Sequence, residues 1–261
     1  MKAKSVLGFV IGMVVAILFF MLFSVISYYM GFNEGQEQYG DLAKMVQEAK
    51  TDSDELVAAV SSDTGETIQL FPEYKALYEL NDDFIGWVDI EGAQISFPVL
   101  YKPIRQEGTD YYQTRNFYRD NSNQGAIYAN EYCDPENSHN VTIFGHGMGD
   151  GTMYAKLLNY KEEGFYLAYP NLQFDALNER RTYAIVAVFS SNSASDFHYQ
   201  DFIDAQTPAE FDGFIEQCKK LDLYNTGITA AYGDKLITLS VSDSSAGDAG
   251  RLVIVAKQIT E

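Results

Sequence analysis

The stretch Lys235–Lys257, KLITLSVSDSSAGDAGRLVIVAK, decides how the chain is read. Two apolar runs, Leu236–Val241 and Leu252–Ala256, flank a polar segment, Ser242–Arg251. Alternation and Ile/Val/Thr content predict two strands. The Ser, Asp and Gly residues between them predict a loop at one rim of a sheet. Ser242 therefore sits where a strand ends, a place from which a rigid frame presents a nucleophile. Arg251 opens the return strand toward the same rim. A plain surface hairpin with a solvated arginine has the same local pattern, and what separates the two lies far upstream.

That upstream feature is His146, in IFGHGMGDGTMYAKL, directly after the strand-like run Asn140–Phe144. A histidine at a strand end, between Gly145 and Gly147, is held by the sheet yet open to a cleft. With an ordinary pKa of about 6.5, it suits proton transfer near neutrality. His139 and His198 have no comparable setting. Working outward, the texture is β-rich from Phe84 onward. FIGWVDI, Gln94–Tyr101, Gly125–Tyr132, Leu172–Ala176 and Arg181–Ser190 are further predicted strands, with Pro98 marking an edge or a bulge. Thr207–Leu221 predicts an amphipathic helix with Pro208 and Glu210 in its first turn. Shorter helices are predicted at Glu73–Leu80, Met153–Leu158 and Lys161–Ala168. The fold class this implies is mainly β: a closed barrel of about eight strands with helical decorations.

Before the barrel, Ser5–Asn33 carries no charge and Val6–Tyr29 is almost wholly apolar. That is longer than the roughly 20 residues a bilayer crossing needs. It lacks the short apolar region and small-residue site of a cleavable leader. Lys2 and Lys4 precede it, and Glu34, Glu37 and Asp41 follow, so the positive-inside rule places the N-terminus in the cytoplasm and the body outside. The expected organisation is a cytoplasmic tip at 1–4, a single transmembrane helix at 5–31, an acidic helical stalk or linker at 32–70 and a β-barrel domain at 71–261. In the stalk, Leu42, Met45, Val46 and Ala49, then Leu56, Val57 and Val60, have helical spacing that Ser61–Thr67 interrupts.

With 37 acidic against 18 basic side chains the chain carries a formal charge of −19. That disfavours nucleic-acid binding and attraction to anionic lipid. Two cysteines define no disulfide framework. Cys218 shares a helical face with Phe211, Phe214 and Ile215 and is expected in the core; Cys133 reads as a free thiol near a strand end. The histidines and cysteines show no ligand spacing, and no calcium-ligand set stands out, so neither a metal nor a cofactor is expected.

FGHGMGDGTMYAKL and KLITLSVSD…GRLVIVAK together resemble the catalytic-histidine and Thr-Leu-x-Thr-Cys regions of sortases, specifically class B sortases. The resemblance runs through NDDFIGWVDIEGAQISFPVLY, DYYQTRNFY and GAIYANEYCD, and includes the helix-bearing segment 191–225. It implies a sortase-type barrel on the outer face of a Gram-positive-like cell. The implied activity is that of a transpeptidase, which cleaves a sorting signal after its threonine and passes the acyl group to a cell-wall or pilin amine. By motif, His146 matches the acid/base histidine and Arg251 the arginine that stabilises the substrate carbonyl and oxyanion. Thr238, Leu239 and Ser240 match the strand before the nucleophile. Thr238, Ser240 and Asp243 are the expected substrate-binding positions, and Phe197, Tyr199 and Phe202 the expected walls of the groove.

The nucleophile departs from the pattern: Ser242 stands where the family has cysteine, and Val241 replaces the preceding threonine. A thiol is a few per cent thiolate at neutral pH, so an imidazolium–thiolate pair is accessible to it. A hydroxyl needs His146 as a true general base, held by a carboxylate or a carbonyl. Asp134, Asp150 and Asp243 are the acidic candidates for that role. Two other readings stay open: a sortase-like protein that binds sorting peptides or pilus and cell-wall proteins without turning them over, and an anchored structural β-domain.

Overall fold

The computed structural model describes residues 2–51, 55–104, 110–147 and 154–259, with side chains in the first helix described at 13–24 and from 37 onward. The chain divides into two compact units, Met1–Gly40 and Asp41–Glu261. Helix α1 runs Lys2–Ala49, and its described apolar side chains from Met13 to Phe23 are exposed. Among the described residues no helix is long and apolar enough to cross a membrane. The expected span at 5–31 rests partly on residues 5–12 and 25–31, whose side chains lie outside the described set.

The helical stalk expected to reach residue 70 ends earlier. Val57–Val60 (β1) and Thr67–Leu70 (β2) pair as an antiparallel hairpin, Val57 opposite Leu70 and Val60 opposite Thr67. The physical reason lies in the turn. Gly65 takes the left-handed φ of +72°. The Asp82 carboxylate accepts hydrogen bonds from Ser61 Oγ (2.8 Å), Ser62 Oγ (3.0 Å) and the Asp63 amide (2.8 Å). Ser61–Thr67 is thus a turn pinned to the barrel domain. Helical spacing at Leu56, Val57 and Val60 was coincident with strand alternation over too few residues to separate the two.

Helix α2 (Lys75–Leu80) leads into β3 (Phe84–Ile90) and β4 (Ile95–Leu100), followed by β5 (Tyr128–Ala129) and β6 (Asn140–Gly145). Helix α3 (Glu163–Ala168), β7 (Asn171–Ala176), β8 (Thr182–Ser191), helix α4 (Pro208–Leu221), β9 (Leu236–Ser242) and β10 (Arg251–Ile259) complete the domain. The eight strands β3–β10 close into a barrel in the order β10-β8-β7-β3-β4-β5-β6-β9, as the sequence predicts. Pro98 fits because β5 pairs β4 only at Leu100–Tyr128, so its missing N–H costs the ladder nothing there. The strand expected at Gly125–Tyr132 shrinks to two residues. Gly125 turns with φ +61°, and the Asn130 amide group accepts from the Tyr132 N–H at 3.0 Å, starting a new turn.

Alternation sorts each strand between two cores. Ile237, Leu239 and Val241 of β9, Leu252 and Ile254 of β10, and Val141 and Ile143 of β6 fill the barrel interior. Leu236, Val253 and Val255 face the other way and pack with Val186, Phe189 and α4, through Phe211, Phe214, Ile215 and Cys218. Helix α4, predicted with Pro208 and Glu210 in its first turn, is capped there: Thr207 Oγ1 accepts from the Glu210 amide (3.3 Å), and Glu210 Oε2 accepts from the Gln206 amide (2.7 Å). The crossover 192–235 therefore covers the outer wall of β8–β10, leaving β8 beside Arg251 and entering β9 at the opposite end of the barrel.

Candidate active site

Strands β6 and β9 are parallel neighbours, with Phe144 opposite Ser240 and Gly145 opposite Val241. One further step brings His146 level with Ser242. Across the other side of β9, Ser242 is the direct antiparallel partner of Arg251. Adjacent strands lie about 4.8 Å apart, so three residues distant in sequence stand in a row across three neighbouring strands. All three are half-buried. The alternation that puts Ile237, Leu239 and Val241 inside places Ser240 and Ser242 on the outer face. Arg251 joins them there, two residues before Val253. The site is at the rim, but it opens outward, not into the barrel lumen.

Two glycines make this row fit. A Cβ on Gly147 would lie 2.6 Å from the Ser242 carbonyl oxygen, and one on Gly145 would lie 2.3 Å from the Tyr154 ring. His146 can thus close against the end of β9 because Gly147 lacks a side chain, while Gly145 makes room for the Tyr154 ring.

The electrostatics suit a base. Burial first, and the Arg251 charge second, hold His146 below its ordinary pKa, while a hydrogen bond to the Gln113 main chain works the other way. His146 is therefore neutral at neutral pH, with the Gln113 main chain as its one favourable partner among the described residues. Sequence gave no signal for this, since every residue has a main chain. Of the acidic candidates, Asp134 caps its own turn by accepting from the Glu136 and Asn137 amides, 3.0 and 3.1 Å, in the loop before β6 begins. Asp150 lies outside the described residues.

Asp243 is spoken for elsewhere. Its carboxylate meets Lys161 Nζ at 2.6 Å and accepts from the Ser245 amide (3.1 Å) and hydroxyl (2.8 Å). The side chain is buried. Its role is to lock the loop after Ser242 onto the segment that follows His146. Burial would raise its pKa, but the hydrogen bonds from Lys161 and Ser245 outweigh it and leave the carboxyl below its usual range. A lowered carboxylate stabilises the fold above its unfolded pKa of about 3.9, and that stability is lost as pH falls through the folded value. Lys161→Met is expected to cost about 2 kcal/mol at pH 7. The cost should begin to shrink below about pH 4, the unfolded-state value, and go on shrinking as pH falls toward the lowered value of folded Asp243. Urea unfolding of both proteins at pH 7 and pH 3 checks it; an equal deficit at both values would show that the lysine acts through packing alone.

Thr238 and Ser240 are also buried and partnered inside the protein. Thr238 Oγ1 donates to Asn140 Oδ1 at 2.8 Å, and Ser240 Oγ accepts from Arg251 Nε at 2.5 Å. As with Asp243, these polar groups are engaged in holding the wall of the site. Phe197 and Phe202 pack on Phe214 of that crossover, at 5.7 and 3.9 Å between ring centroids, while Tyr199 reaches Ser240. An open cleft of about 440 Å³ adjoins Phe144 and is bounded by Asn130, Glu131, Tyr132, Gln200 and Ile203. Phe144 in turn stacks under the Arg251 guanidinium at 5.3 Å.

The two thiols are not alternatives to Ser242. Cys133 and Cys218 are both buried; burial pushes Cys133 up to about 12 and Cys218 still higher. His139 is tied to Asp204 at 3.2 Å, away from the row. Among the described residues, the carboxylates Asp63, Asp82 and Asp83 approach one another. Lys102 and Arg119 already neutralise them, at 3.0 Å to Asp83 and 2.6 Å to Asp82.

No protein-family model matches the chain. Over its full length it aligns with sortase B of Listeria monocytogenes at 29% identity, covering 100% of each chain. A Bacillus anthracis structure described as similar to sortase B superposes with a TM-score of 0.71 at 26% identity, over 88% of this chain and 98% of that one. The Staphylococcus aureus sortase B–substrate complex superposes with a TM-score of 0.72 at 22% identity, over 88% and 99% of the respective chains, a likeness of fold.

Proposed function

We propose, from the class B sortase kinship that these likenesses support, that the row His146, Ser242 and Arg251 carries acyl transfer. The chain is a sortase-type transpeptidase by that kinship; the finer assignments are ours. Neutral His146 takes the Ser242 proton as the hydroxyl oxygen attacks a peptide carbonyl after threonine, and Arg251 donates to the oxyanion. The imidazolium returns its proton to the departing amine, leaving an ester on Ser242. A cell-wall or pilin amine then gives a proton to His146 and attacks the ester, which restores the hydroxyl. The sorting peptide lies along the outer face in the cleft beside Phe144. The apolar run at 5–31 anchors the protein in the membrane by a single pass, N-terminus cytoplasmic, with 32–70 as its connection to an extracellular domain at 71–261.

The observation that carries this reading is the register: three neighbouring strands bring the three groups level. One fact favours the rival, a protein that binds sorting peptides without turning them over: a hydroxyl is a far weaker nucleophile than a thiol. Cleavage of a sorting peptide with an amine acceptor decides between them. His146→Ala is expected to abolish turnover, and unchanged turnover would remove His146 from the mechanism. Since His146 is a base with a lowered pKa, it works above that value and fails as pH falls through it. The acid limb of kcat/KM should therefore lie below the ordinary histidine value of about 6.5.

A further inference from the structure

Arg251 is gripped in an unusual way. Its Nε donates to Ser240 Oγ (2.5 Å), and its Nη2 donates to the Ser240 carbonyl (2.8 Å) and to the Gly145 carbonyl (3.3 Å). One serine thus takes both prongs of the guanidinium fork, a place that carboxylates usually fill. Among the described residues no carboxylate pairs with Arg251, so its charge is held by neutral oxygens and stays uncompensated. The charge reaches His146, whose pKa it lowers. A guanidinium has five N–H groups; three are spent on this grip, and the two on Nη1 have no described partner. Ser240 Oγ is itself held, 2.7 Å from the Tyr199 hydroxyl. Both side chains are buried, Ser240 fully and Tyr199 at 3% exposure, and the Tyr199 ring lies edge-on to Phe189.

We propose that Tyr199 is a positioning residue for the oxyanion step: together with Ser240 it fixes Arg251 so that the Nη1 edge is presented to the substrate. Tyr199 belongs to the crossover that covers the outer wall, so seating that crossover and aiming the oxyanion donor are one event. The inference rests on the transpeptidase reading for its consequence, but its geometry can be tested apart from it.

Tyr199→Phe keeps the ring and removes the one atom in question. In the full chain, hydrogen exchange at the Arg251 Nε–H, followed by NMR, is expected to speed up about tenfold as Ser240 loses its tether. In a Ser242→Cys background, kcat should fall about tenfold while KM stays within about twofold, because the aim of a donor matters in the transition state and not in peptide binding. Ser240→Ala should reproduce both effects, and the double variant should be no worse than either single one. A rise in KM alone would overturn the proposal in favour of peptide contact by Tyr199, as would an unchanged exchange rate. Faster exchange in a protein that never turns over, with or without the introduced thiol, would uphold the positioning and sink the transpeptidase reading.

Discussion

Ser242→Cys is expected to raise the rate of sorting-peptide cleavage on the order of 100-fold or more. The reasoning follows from what surrounds the position. Ser242 lies level with His146 and opposite Arg251, so a thiol there would have an imidazole on one side and a fixed positive charge on the other. The guanidinium charge favours thiolate, and the imidazole need only accept the thiol proton before attack. The hydroxyl gains little from either, because it must lose its proton during attack. His146, held neutral by burial and by Arg251, is a weakened base for that task. The native thiols give the control: Cys133 and Cys218 are buried with raised pKa values, so alkylation at neutral pH should single out the introduced thiol. Fast alkylation together with fast cleavage would show an intact groove with serine as its one handicap. Fast alkylation without cleavage, while the peptide still binds, would hand the function to the binding reading.

Most of what forms the barrel could be read from the chain because it is local. Alternation in β6, β8, β9 and β10, the turn residues between them and the caps of α4 are properties of neighbours in sequence. The three members of the row were found through motifs, yet the face they occupy was not. That depends on register across β6, β9 and β10, which no single segment encodes. The same limit hid the Tyr199–Ser240 tether behind Arg251. It also hid the internal partners of Thr238, Ser240 and Asp243, which are Asn140, Arg251 and Lys161. At Ser61–Thr67 an apparent break in a helix was the turn of a hairpin, legible only once Asp82 is seen to hold it.

Arg251→Lys should lower kcat/KM about 100- to 1,000-fold, close to the loss from Arg251→Ala, although lysine keeps the charge. An ammonium is a point donor. It cannot hold Ser240 Oγ and the Ser240 carbonyl with one edge while offering a second edge to the substrate. Stability cannot account for such a loss. In the alanine variant Ser240 Oγ still has Tyr199 at 2.7 Å, and the orphaned carbonyls cost about 1–2 kcal/mol, against a typical reserve of about 5–15 kcal/mol. The two variants should part company in their pH profiles. Burial, the larger cause of the low His146 pKa, survives in both, but the second cause, the cationic neighbour, survives only with lysine. The acid limb should therefore move up toward the ordinary histidine value in the alanine variant and stay lower in the lysine variant. A lysine variant within a few-fold of the starting protein would mean that charge alone stabilises the oxyanion. The shaped grip on Ser240 would then serve the fold and not the reaction.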